Sequence, residues 1–470
     1  MTVNIQALGV HVPRWRLDRQ GLAATWGQAG PGGSRSVANA DEDTVTMAVA
    51  AALDALGEDI DRARIDAVLF ATTSPVFLEG SHAAIVADAL GLSPRLTLDI
   101  TSTLRSGLDA LRLAGELVRG GSASTVLVVA ADQRELPPGS LHERNAGDGA
   151  AAVLVSDKPG ILALVDSGTV VDHAAGVWRR SGQPNTQFAD ERFVERELLQ
   201  PWLVRAAEQV ALDANGGVQQ DIAQAALGSP LPRCVPAAGT QLGLATGSGD
   251  SGRLIGFCGV AEPFFQLIDA LQGRNNTEQI VVAAAGDGGT AVLVRVTDQD
   301  NLARPIKSLK RALRRGRELS PSAYQRLRGQ LPVEPVVPFA SPALLRREQD
   351  GLLGPIGSRC RKCGVAGFPM RRICASCHSV DDYDAERLPR RGTLFTHTVE
   401  HLFPGPLNEL IMGVVDLGEV RFYTQITDAS AADCVVGTPV ELVLRRLHDG
   451  AGYPHYFWKA TTCEESDDND

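Results

Sequence analysis

The sequence lacks any uninterrupted apolar run of about 18 residues, the length at which a helix begins to span a bilayer. Its opening segment, residues 1–17, has no basic stretch followed by an apolar one, so no secretory signal is visible. Acidic residues outnumber basic ones, and the net charge of −11 disfavours a nucleic-acid partner for the chain as a whole. We therefore expect a soluble, cytoplasmic protein without a membrane span.

The chain is long and rich in small and apolar residues. It has 470 residues, 48 of them glycine, and 44% of its residues are hydrophobic. That length exceeds the usual size of one domain, which predicts two or three globular domains with sizeable cores. The acidic segment 464–470 is expected to be a solvated tail.

Two parts of the chain share one pattern of apolar runs around a Gly-Asp-Gly triplet. Ser124–Asp132 is an apolar run that leads to Gly147-Asp148-Gly149 and a second apolar run. Gln279–Ala285 leads in the same way to Gly286-Asp287-Gly288. Apolar runs without alternation are typical of strands covered on both faces, and glycine permits turns that a Cβ would hinder. The repeat predicts a duplicated α/β unit over residues 1–296, with parallel strands and helices on both faces.

Beyond residue 296 the composition changes. Residues 306–317 carry lysine and arginine at the spacing of one helical face, which indicates either a solvated or docked linker helix or a patch that contacts phosphate. Residues 333–343 are rich in proline and predict a spacer, within a linker over 297–345. Short apolar runs over 391–463 are typical of a small β-barrel.

Four of the eight cysteines form two Cys-x-x-Cys pairs, Cys360 with Cys363 and Cys374 with Cys377. Such pairs bring four thiolates to the corners of a tetrahedron, about 2.3 Å from one Zn²⁺. All four coordination positions are then filled, so the ion would be structural and would stabilise a zinc ribbon over 346–390. A redox dithiol or a pair of disulfides is the alternative. A ribbon followed by a barrel is also compatible with nucleic-acid binding, which the acidic composition disfavours.

The duplicated unit resembles the thiolase superfamily, in particular the branch that contains hydroxymethylglutaryl-CoA synthase and ketoacyl-carrier-protein synthase III. Besides the two Gly-Asp-Gly patterns, the likeness rests on the segments Leu98–Gly107 and Ile255–Glu262. Residues 345–463 resemble the zinc-ribbon and OB-fold proteins that accompany acyl-CoA thiolases and aldolases, with the paired cysteines in register. The resemblance implies a duplicated five-layered thiolase-like α/β fold, followed by a zinc ribbon and an OB-fold barrel.

The sequence departs from the superfamily at the catalytic positions that the resemblance implies. Active members place a cysteine at the start of a helix, where the helix dipole lowers its pKa, and this chain has Leu104 or Arg105 there. The superfamily histidine falls on Gly228 or Ser229, and the asparagine falls on Phe257. A condensation that depends on a cysteine nucleophile is therefore not expected. Two cysteines near the second-half motifs, at positions 234 and 258, are the remaining candidates for a substitute, although buried cysteines are usually apolar fillers.

An aldol or retro-aldol reaction on a β-hydroxyacyl-CoA needs no acyl-enzyme, only an acid or base at the hydroxyl and a donor for the enolate. The superfamily includes aldolases that lack the cysteine and work with an OB-fold partner. The candidate catalytic residues are Glu79, His82, Arg105, His142 and Glu143. Each has a structural alternative, as a surface residue, a helix cap or, for Arg105, a buried ion pair.

Trp178, Arg179 and Arg180 are a candidate clamp for coenzyme A, with the indole stacked on adenine and a guanidinium on phosphate; a solvated loop is the alternative. The resemblance thus implies an acyl-CoA-binding enzyme that makes or breaks a C–C bond next to the thioester. The competing hypothesis is a non-catalytic scaffold that binds acyl-CoA or an active thiolase and channels intermediates. The superfamily usually dimerises, which implies a homodimer or a heteromer with a thiolase-like protein.

Overall fold

The computed structural model of the chain describes residues 2–57, 60–213, 215–247, 249–331, 342–401, 409–450 and 452–463. The chain divides into two compact units. The first unit comprises Met1–Ala38, Asp43–Ala87 and Leu92–Tyr324, and the second comprises Asn39–Glu42, Asp88–Gly91 and Gln325–Asp470. Most of the predicted proline-rich spacer and the whole acidic tail lie outside the described residues.

The first unit is an α/β structure. Up to residue 327, the strands are β1 (Asn4–His11), β2 (Trp15–Asp18), β3 (Ser34–Val37), β4 (Ala67–Thr72), β5 (Leu96–Thr101), β6 (Thr125–Asp132), β7 (Gly149–Ser156), β8 (Leu162–Val171), β9 (Val177–Trp178), β10 (Gln187–Phe188), β11 (Ile222–Gly228), β12 (Gln279–Ala285), β13 (Gly288–Val296) and β14 (Arg317–Glu318). The α-helices are α1 (Arg19–Ala24), α2 (Thr44–Leu56), α3 (His82–Leu90), α4 (Ser106–Arg119), α5 (Leu141–Asn145), α6 (Glu191–Phe193), α7 (Gln200–Ala211), α8 (Cys234–Leu242), α9 (Asp250–Leu254), α10 (Glu262–Ala270), α11 (Ala303–Arg314) and α12 (Pro321–Leu327).

A nine-stranded sheet in the order β11-β12-β13-β8-β1-β7-β6-β4-β5 carries the duplication. In the first half, β4 pairs with β6 in parallel, while β6 with β7 and β7 with β1 are antiparallel. In the second half, β11 pairs with β12 in parallel, while β12 with β13 and β13 with β8 are antiparallel. The two halves therefore repeat one strand order and one set of directions, which confirms the predicted duplication.

The expectation of parallel strands holds for the pairs β4–β6 and β11–β12 but not for the strands on either side of each Gly-Asp-Gly triplet, which are antiparallel. Strands β12 and β13 are separated by two residues, Gly286 and Asp287. A connection of that length closes only an antiparallel hairpin, since a parallel pair needs a crossover of a dozen or more residues. The apolar runs indicated burial on both faces but carried no information on direction.

Helices cover the sheet and form the core with it. Helix α2 begins after Asp43, whose carboxylate accepts hydrogen bonds from the N–H groups of Val45 and Thr46. Helix α4 contacts β4 and β6 of the first half and also β13 of the second half. The helix α11 that carries the basic residues docks on α2, where the Ser308 hydroxyl donates to the Asp54 carboxylate at 2.6 Å. None of the described helices is both long and apolar enough to cross a bilayer.

Glycines in the two triplets are close to backbone atoms of neighbouring segments. A Cβ at Gly147 would lie 1.8 Å from the carbonyl oxygen of Ile255, and one at Gly288 would lie 1.9 Å from that of Val170. Gly288 also has a φ of 102°. We expect alanine at either position to lower the free energy of unfolding of the first unit by about 3 kcal/mol, because neither backbone contact can relax cheaply.

Denaturant unfolding of Gly147→Ala and Gly288→Ala, compared with Gly121→Ala, checks this expectation. Gly121 has a φ of 70°, and no atom lies within 4 Å of the position that a Cβ would take there, so this variant isolates the cost of the left-handed backbone. Equal losses in all three variants would contradict the role assigned to the close contacts.

The second unit contains a three-stranded ribbon and a closed five-stranded barrel. Its strands are β15 (Ile356–Cys360), β16 (Ala366–Gly367), β17 (Tyr383–Arg387), β18 (Arg391–Glu400), β19 (Leu410–Asp416), β20 (Arg421–Ile426), β21 (Pro439–Gly450) and β22 (Tyr453–Thr462), and its helices are α13 (Pro342–Arg347) and α14 (Gln349–Leu352). The barrel order is β18-β19-β20-β22-β21, with β20 and β22 parallel. This arrangement confirms the predicted small barrel, which follows directly after the ribbon in the chain.

Candidate functional site

A cavity of about 270 Å³ opens in the first unit at the carboxyl ends of β4, β5 and β6. Its lining includes Thr73, the segment 101–104 and Arg134, which lie at or within a few residues of the ends of these strands. The β12–β13 turn contributes Gly286 and Asp287. Ligands of open α/β sheets bind outside the carboxyl ends of the strands, so this cavity is the candidate site.

The segment between β5 and α4 forms one wall of the cavity. Ser102 has a φ of 102°, and Thr103 and Leu104 line the cavity directly before α4 begins. A Cβ at Gly286 would lie 2.9 Å from the backbone nitrogen of Leu104, so glycine allows the hairpin turn to approach this segment closely. This wall includes Ser102, Thr103 and Leu104, and none of the three carries a thiol.

Arg105 is directed away from this wall and into the fold. Its Nε donates to the carbonyl oxygen of Gly286 at 3.0 Å, and its Nη1 lies 3.2 Å from the Asp109 carboxylate and 3.0 Å from the Thr290 hydroxyl. Thr290 in turn donates to Asp109 at 2.6 Å. These contacts join α4 to the β12–β13 hairpin of the second half. They support the structural alternative for Arg105, an ion pair within the fold, over a catalytic role.

Arg134 lies two residues beyond the end of β6 and was not among the predicted site residues. Its side chain is 5% exposed and lines the cavity. Its guanidinium carbon lies 6.0 Å from the centroid of the Phe188 ring and 5.9 Å from that of Phe257. Burial lowers the pKa of Arg134, while the nearby Asp132 carboxylate opposes that shift. A polar residue just past the carboxyl end of a buried strand is the sequence signal that identifies it.

His142 and Arg134 both contact the ring of Phe188. Its imidazole stacks on Phe188 with ring centroids 3.5 Å apart and an angle of 7° between the planes. Burial and the positive charge of Arg134 lower the pKa of His142 to about 4, so the ring is neutral at physiological pH. Its Nδ1 is buried and has no hydrogen-bond partner among the described residues. The imidazole therefore contributes a neutral stacking surface beside the cation.

The remaining predicted acid–base residues do not line the cavity in the described part of the chain. Glu79 is exposed, one residue after Leu78, which does line it. His82 is buried, with Nδ1 3.0 Å from the Asp99 carboxylate, and its Nε2 accepts from the N–H of Phe77. His82 therefore uses both ring nitrogens to hold the loop that precedes α3.

Glu143 is buried outside the cavity. Its carboxylate accepts from the N–H of Gly139 at 2.6 Å and from the hydroxyl of Tyr324 at 2.9 Å. These two donors use both carboxylate oxygens, so the contacts support a structural role for this residue. The sequence predicted a loop before Gly147, whereas His142 and Glu143 lie on the short helix α5. Residue type alone did not indicate which of these side chains turns inward.

Two residues of the predicted coenzyme A clamp line the cavity. The indole of Trp178 is 41% exposed, and Arg179 donates from Nη2 to the carbonyl oxygen of Thr73 at 2.8 Å. Arg180 is exposed and is not part of the lining. The structure therefore brings together Arg179 and Arg134, which the sequence separates widely.

No family model matches the chain. Hydroxymethylglutaryl-CoA synthase of Aeropyrum pernix is 27% identical over 347 residues, which cover 71% of this chain and 96% of that protein. The match to the synthase of Methanocella arvoryzae, at 30% identity, spans 39% of this chain and 55% of the relative. The solved structure of MvaS in complex with 3-hydroxy-3-methylglutaryl coenzyme A has a TM-score of 0.63 at 22% identity, covering 73% of this chain and 95% of that one. The chain has a thiolase-like fold.

The thiolase-like fold also extends to 3-oxoacyl-[acyl-carrier-protein] synthase III from Aquifex aeolicus, with a TM-score of 0.55 at 19% identity. That match covers 62% of this chain and 99% of the other. The superfamily resemblance places the nucleophile after β5, and in this thiolase-like unit the cavity wall at that point carries Leu104.

The thiolase-like unit has two cysteines, and both lie outside the cavity. Cys234 and Cys258 are fully buried, and neither lines the cavity. Burial raises the pKa of Cys234 to about 11. Burial, together with the negative charge of Glu262, raises the pKa of Cys258 well above its usual value. Both groups are therefore protonated at neutral pH, and a protonated thiol is a poor nucleophile.

The second unit contains a cluster of four thiols, from Cys360, Cys363, Cys374 and Cys377, whose sulfur atoms all lie within 4.8 Å of one another. The distances from Cys360 to Cys377 and from Cys363 to Cys374 are both 3.6 Å. A tetrahedron with metal–sulfur bonds of about 2.3 Å has edges of about 3.8 Å, so this donor set fits one tetrahedral Zn²⁺.

The two cysteine pairs of the cluster have the same backbone shape. The N–H of Gly364 donates to the carbonyl oxygen of Cys360, and the N–H of His378 donates to that of Cys374. Gly364 has a φ of 73° and His378 one of 59°. The shared left-handed residue after each second cysteine turns both thiols of a pair toward the same point.

Proposed function

We propose that the thiolase-like unit binds an acyl-CoA thioester in the cavity and makes or breaks a C–C bond beside the thioester, by aldol or retro-aldol chemistry without a cysteine nucleophile. The single observation that carries the proposal is that Leu104 lies in the cavity wall after β5, and no thiol lines the cavity among the described residues. The names of the relatives and the coenzyme A thioester in the MvaS structure support the substrate class.

The retro-aldol direction defines what the side chains must do. A base removes the proton of the β-hydroxyl, the bond between Cα and Cβ breaks, and a carbonyl compound leaves. The electron pair stays on Cα as a thioester enolate, which is then protonated. Among the groups that line the cavity, the carboxylate of Asp287 is suited to the proton transfer, and the cation of Arg134 makes the cavity favourable for negative charge.

The coenzyme A part of the substrate is assigned to the mouth of the cavity. Trp178 offers an exposed aromatic face for adenine, and Arg179 offers a cation for a phosphate oxygen. Arg180 extends the same positive charge into solvent. Phosphates remain hydrated there, while the thioester and acyl chain enter the drier interior.

Turnover of β-hydroxyacyl-CoA thioesters, measured as released aldehyde or ketone, is expected to survive treatment with iodoacetamide. The physical reason is that both thiols of the first unit are buried and protonated. Asp287→Asn is expected to lower kcat by about 100-fold or more, as for loss of a general base. Glu79→Gln serves as the comparison, because Glu79 lies outside the cavity.

The outcome that contradicts the mechanism is a substrate-derived acyl group found by mass spectrometry on Cys234 or Cys258. If Glu79→Gln abolished turnover and Asp287→Asn did not, the proton transfer would be assigned to Glu79, as the sequence predicted. Alkylation is monitored on the metal-loaded protein, so that changes in the second unit do not confuse the result.

A non-catalytic scaffold is the second candidate function. It is favoured by one observation: none of the five predicted catalytic residues lines the cavity in the described part of the chain. In that case the protein would bind coenzyme A thioesters tightly, release no product from any of them, and keep this affinity in Asp287→Asn. Calorimetric binding run beside the turnover assay separates the two candidates.

We also propose that the four-thiol cluster holds one structural Zn²⁺. Four thiolates fill a tetrahedral site and leave no position for water or substrate, so the ion would stabilise the ribbon and take no part in the reaction.

A further inference from the structure

The cavity contains a buried cation that the fold does not neutralise. Arg134 is 5% exposed, and in the described part of the chain it makes no hydrogen bond or ion pair; its contacts are with two aromatic rings. A buried charge is costly unless it is paired. An arginine held in this way inside a cavity is the signature of a site completed by an anionic ligand.

The nearest carboxylate is already committed to other donors. The Asp132 carboxylate accepts six hydrogen bonds. Thr73 and Ser74 each donate from the backbone N–H and from the hydroxyl, and the other two donors are the Thr72 hydroxyl and the Val260 N–H. Its negative charge acts on Arg134 through space but provides no hydrogen-bonded partner. The N–H groups of the guanidinium are therefore left for a ligand.

The carboxylate of Asp287 lines the same cavity, whereas the groups in contact with Arg134 are aromatic rings. The faces of the Phe188 and Phe257 rings supply only a weak cation–π attraction. The neutral imidazole of His142 lies beyond Phe188, and the nearby cation of Arg179 adds positive charge. Aromatic rings fix a planar guanidinium and leave its edge free, which suits a planar carboxylate with two oxygens.

We propose that Arg134 binds a carboxylate on the acyl chain, so that the substrate is the coenzyme A thioester of a dicarboxylic acid. This deepens the proposed function and rests on acyl-CoA binding at this cavity. The coenzyme A phosphates are the other source of anionic oxygen. They are assigned to the exposed Arg179, because a phosphate loses more hydration than a carboxylate on entering the buried pocket around Arg134.

Matched thioesters test the proposal by isothermal titration calorimetry. Succinyl-CoA and butyryl-CoA have the same acyl length and differ in the terminal carboxylate, and glutaryl-CoA and valeryl-CoA form a second pair. The intact protein is expected to bind the acidic member of a pair about 10- to 100-fold more tightly, the range for a charged hydrogen-bonded contact. Arg134→Met should abolish this preference, and Arg134→Lys should retain part of it.

The control variant is Arg192→Met, which removes an exposed arginine outside the cavity and should keep the full preference. Thermal unfolding establishes that each variant is folded, and Arg134→Lys keeps the test decisive if the methionine variant is not. Equal affinities within both pairs for the intact protein, or a preference that survives in Arg134→Met, would overturn the inference. A loss in Arg134→Met that is equal for both members and for free coenzyme A would assign Arg134 to a phosphate and also overturn it. No binding of any thioester would sink the proposed function itself.

Discussion

Arg445→Met is expected to lower the free energy of unfolding of the second unit by about 3–5 kcal/mol, the usual cost of removing one partner from a buried ionic cluster. Arg445 is 2% exposed. Its Nη2 lies 2.8 Å from the Asp428 carboxylate and 3.1 Å from that of Glu42, and its Nε lies 3.7 Å from Asp41. These carboxylates raise the pKa of Arg445 against the opposing effect of burial.

The loss follows from the charge balance of the cluster. Lys459 is its second cation, with Nζ 2.9 Å from the Asp41 carboxylate. Without Arg445, the carboxylates of Asp41, Glu42 and Asp428 share one lysine in a largely buried site. The triple variant Arg445→Met, Glu42→Gln, Asp428→Asn leaves the pair of Lys459 and Asp41 balanced, so it should recover most of the lost stability.

Hydrogen exchange of the strand β22, followed by mass spectrometry, measures the effect within the second unit. Arg391→Met is the matched control, because Arg391 is an exposed arginine of the same barrel. A single variant as stable as this control would show that the cluster contributes no net stability. A triple variant no more stable than the single one would show that packing around Arg445, and not its charge, is responsible.

The sequence predicted the elements that depend on local pattern. The apolar runs Ser124–Asp132 and Gln279–Ala285 form the strands β6 and β12, with bounds that agree to within one residue. The cysteine spacing likewise identified the four-thiol cluster. In each case the signal lies within a few neighbouring residues, or within a pair of short motifs whose geometry is fixed by the chemistry of the site.

The candidate site was harder to predict because its character depends on contacts between distant segments. Arg134 becomes a cavity residue only because Phe188 and Phe257 are brought beside it. His82 and Glu143 were reasonable catalytic candidates by residue type, yet their polar atoms are used by neighbours within the fold. A sequence gives the residue types in a loop, whereas partners from other segments decide which side chains remain free for chemistry.

Loss of the Zn²⁺ proposed for the four-thiol cluster is expected to have the largest effect, because the ribbon has few buried apolar residues to hold it together. Among its cysteines only Cys360 is buried, and apolar residues such as Ile373 and Val380 are exposed. Metal binding contributes roughly 10 kcal/mol or more to comparable small sites. We expect one Zn²⁺ per chain by elemental analysis and a value near zero in Cys374→Ser.

The same change should expose the ribbon to solvent while sparing the thiolase-like unit. Amide protection of β15 and β17 is expected to be lost in Cys374→Ser and after chelation, whereas that of β6 and β12 should be unchanged, because those strands have their own core. Cys463→Ser is the control, since Cys463 is a cysteine of the second unit outside the cluster. A metal-free protein with an intact, protected ribbon would show that the four thiols are held together by the fold alone, and the structural role of the ion would have to be abandoned.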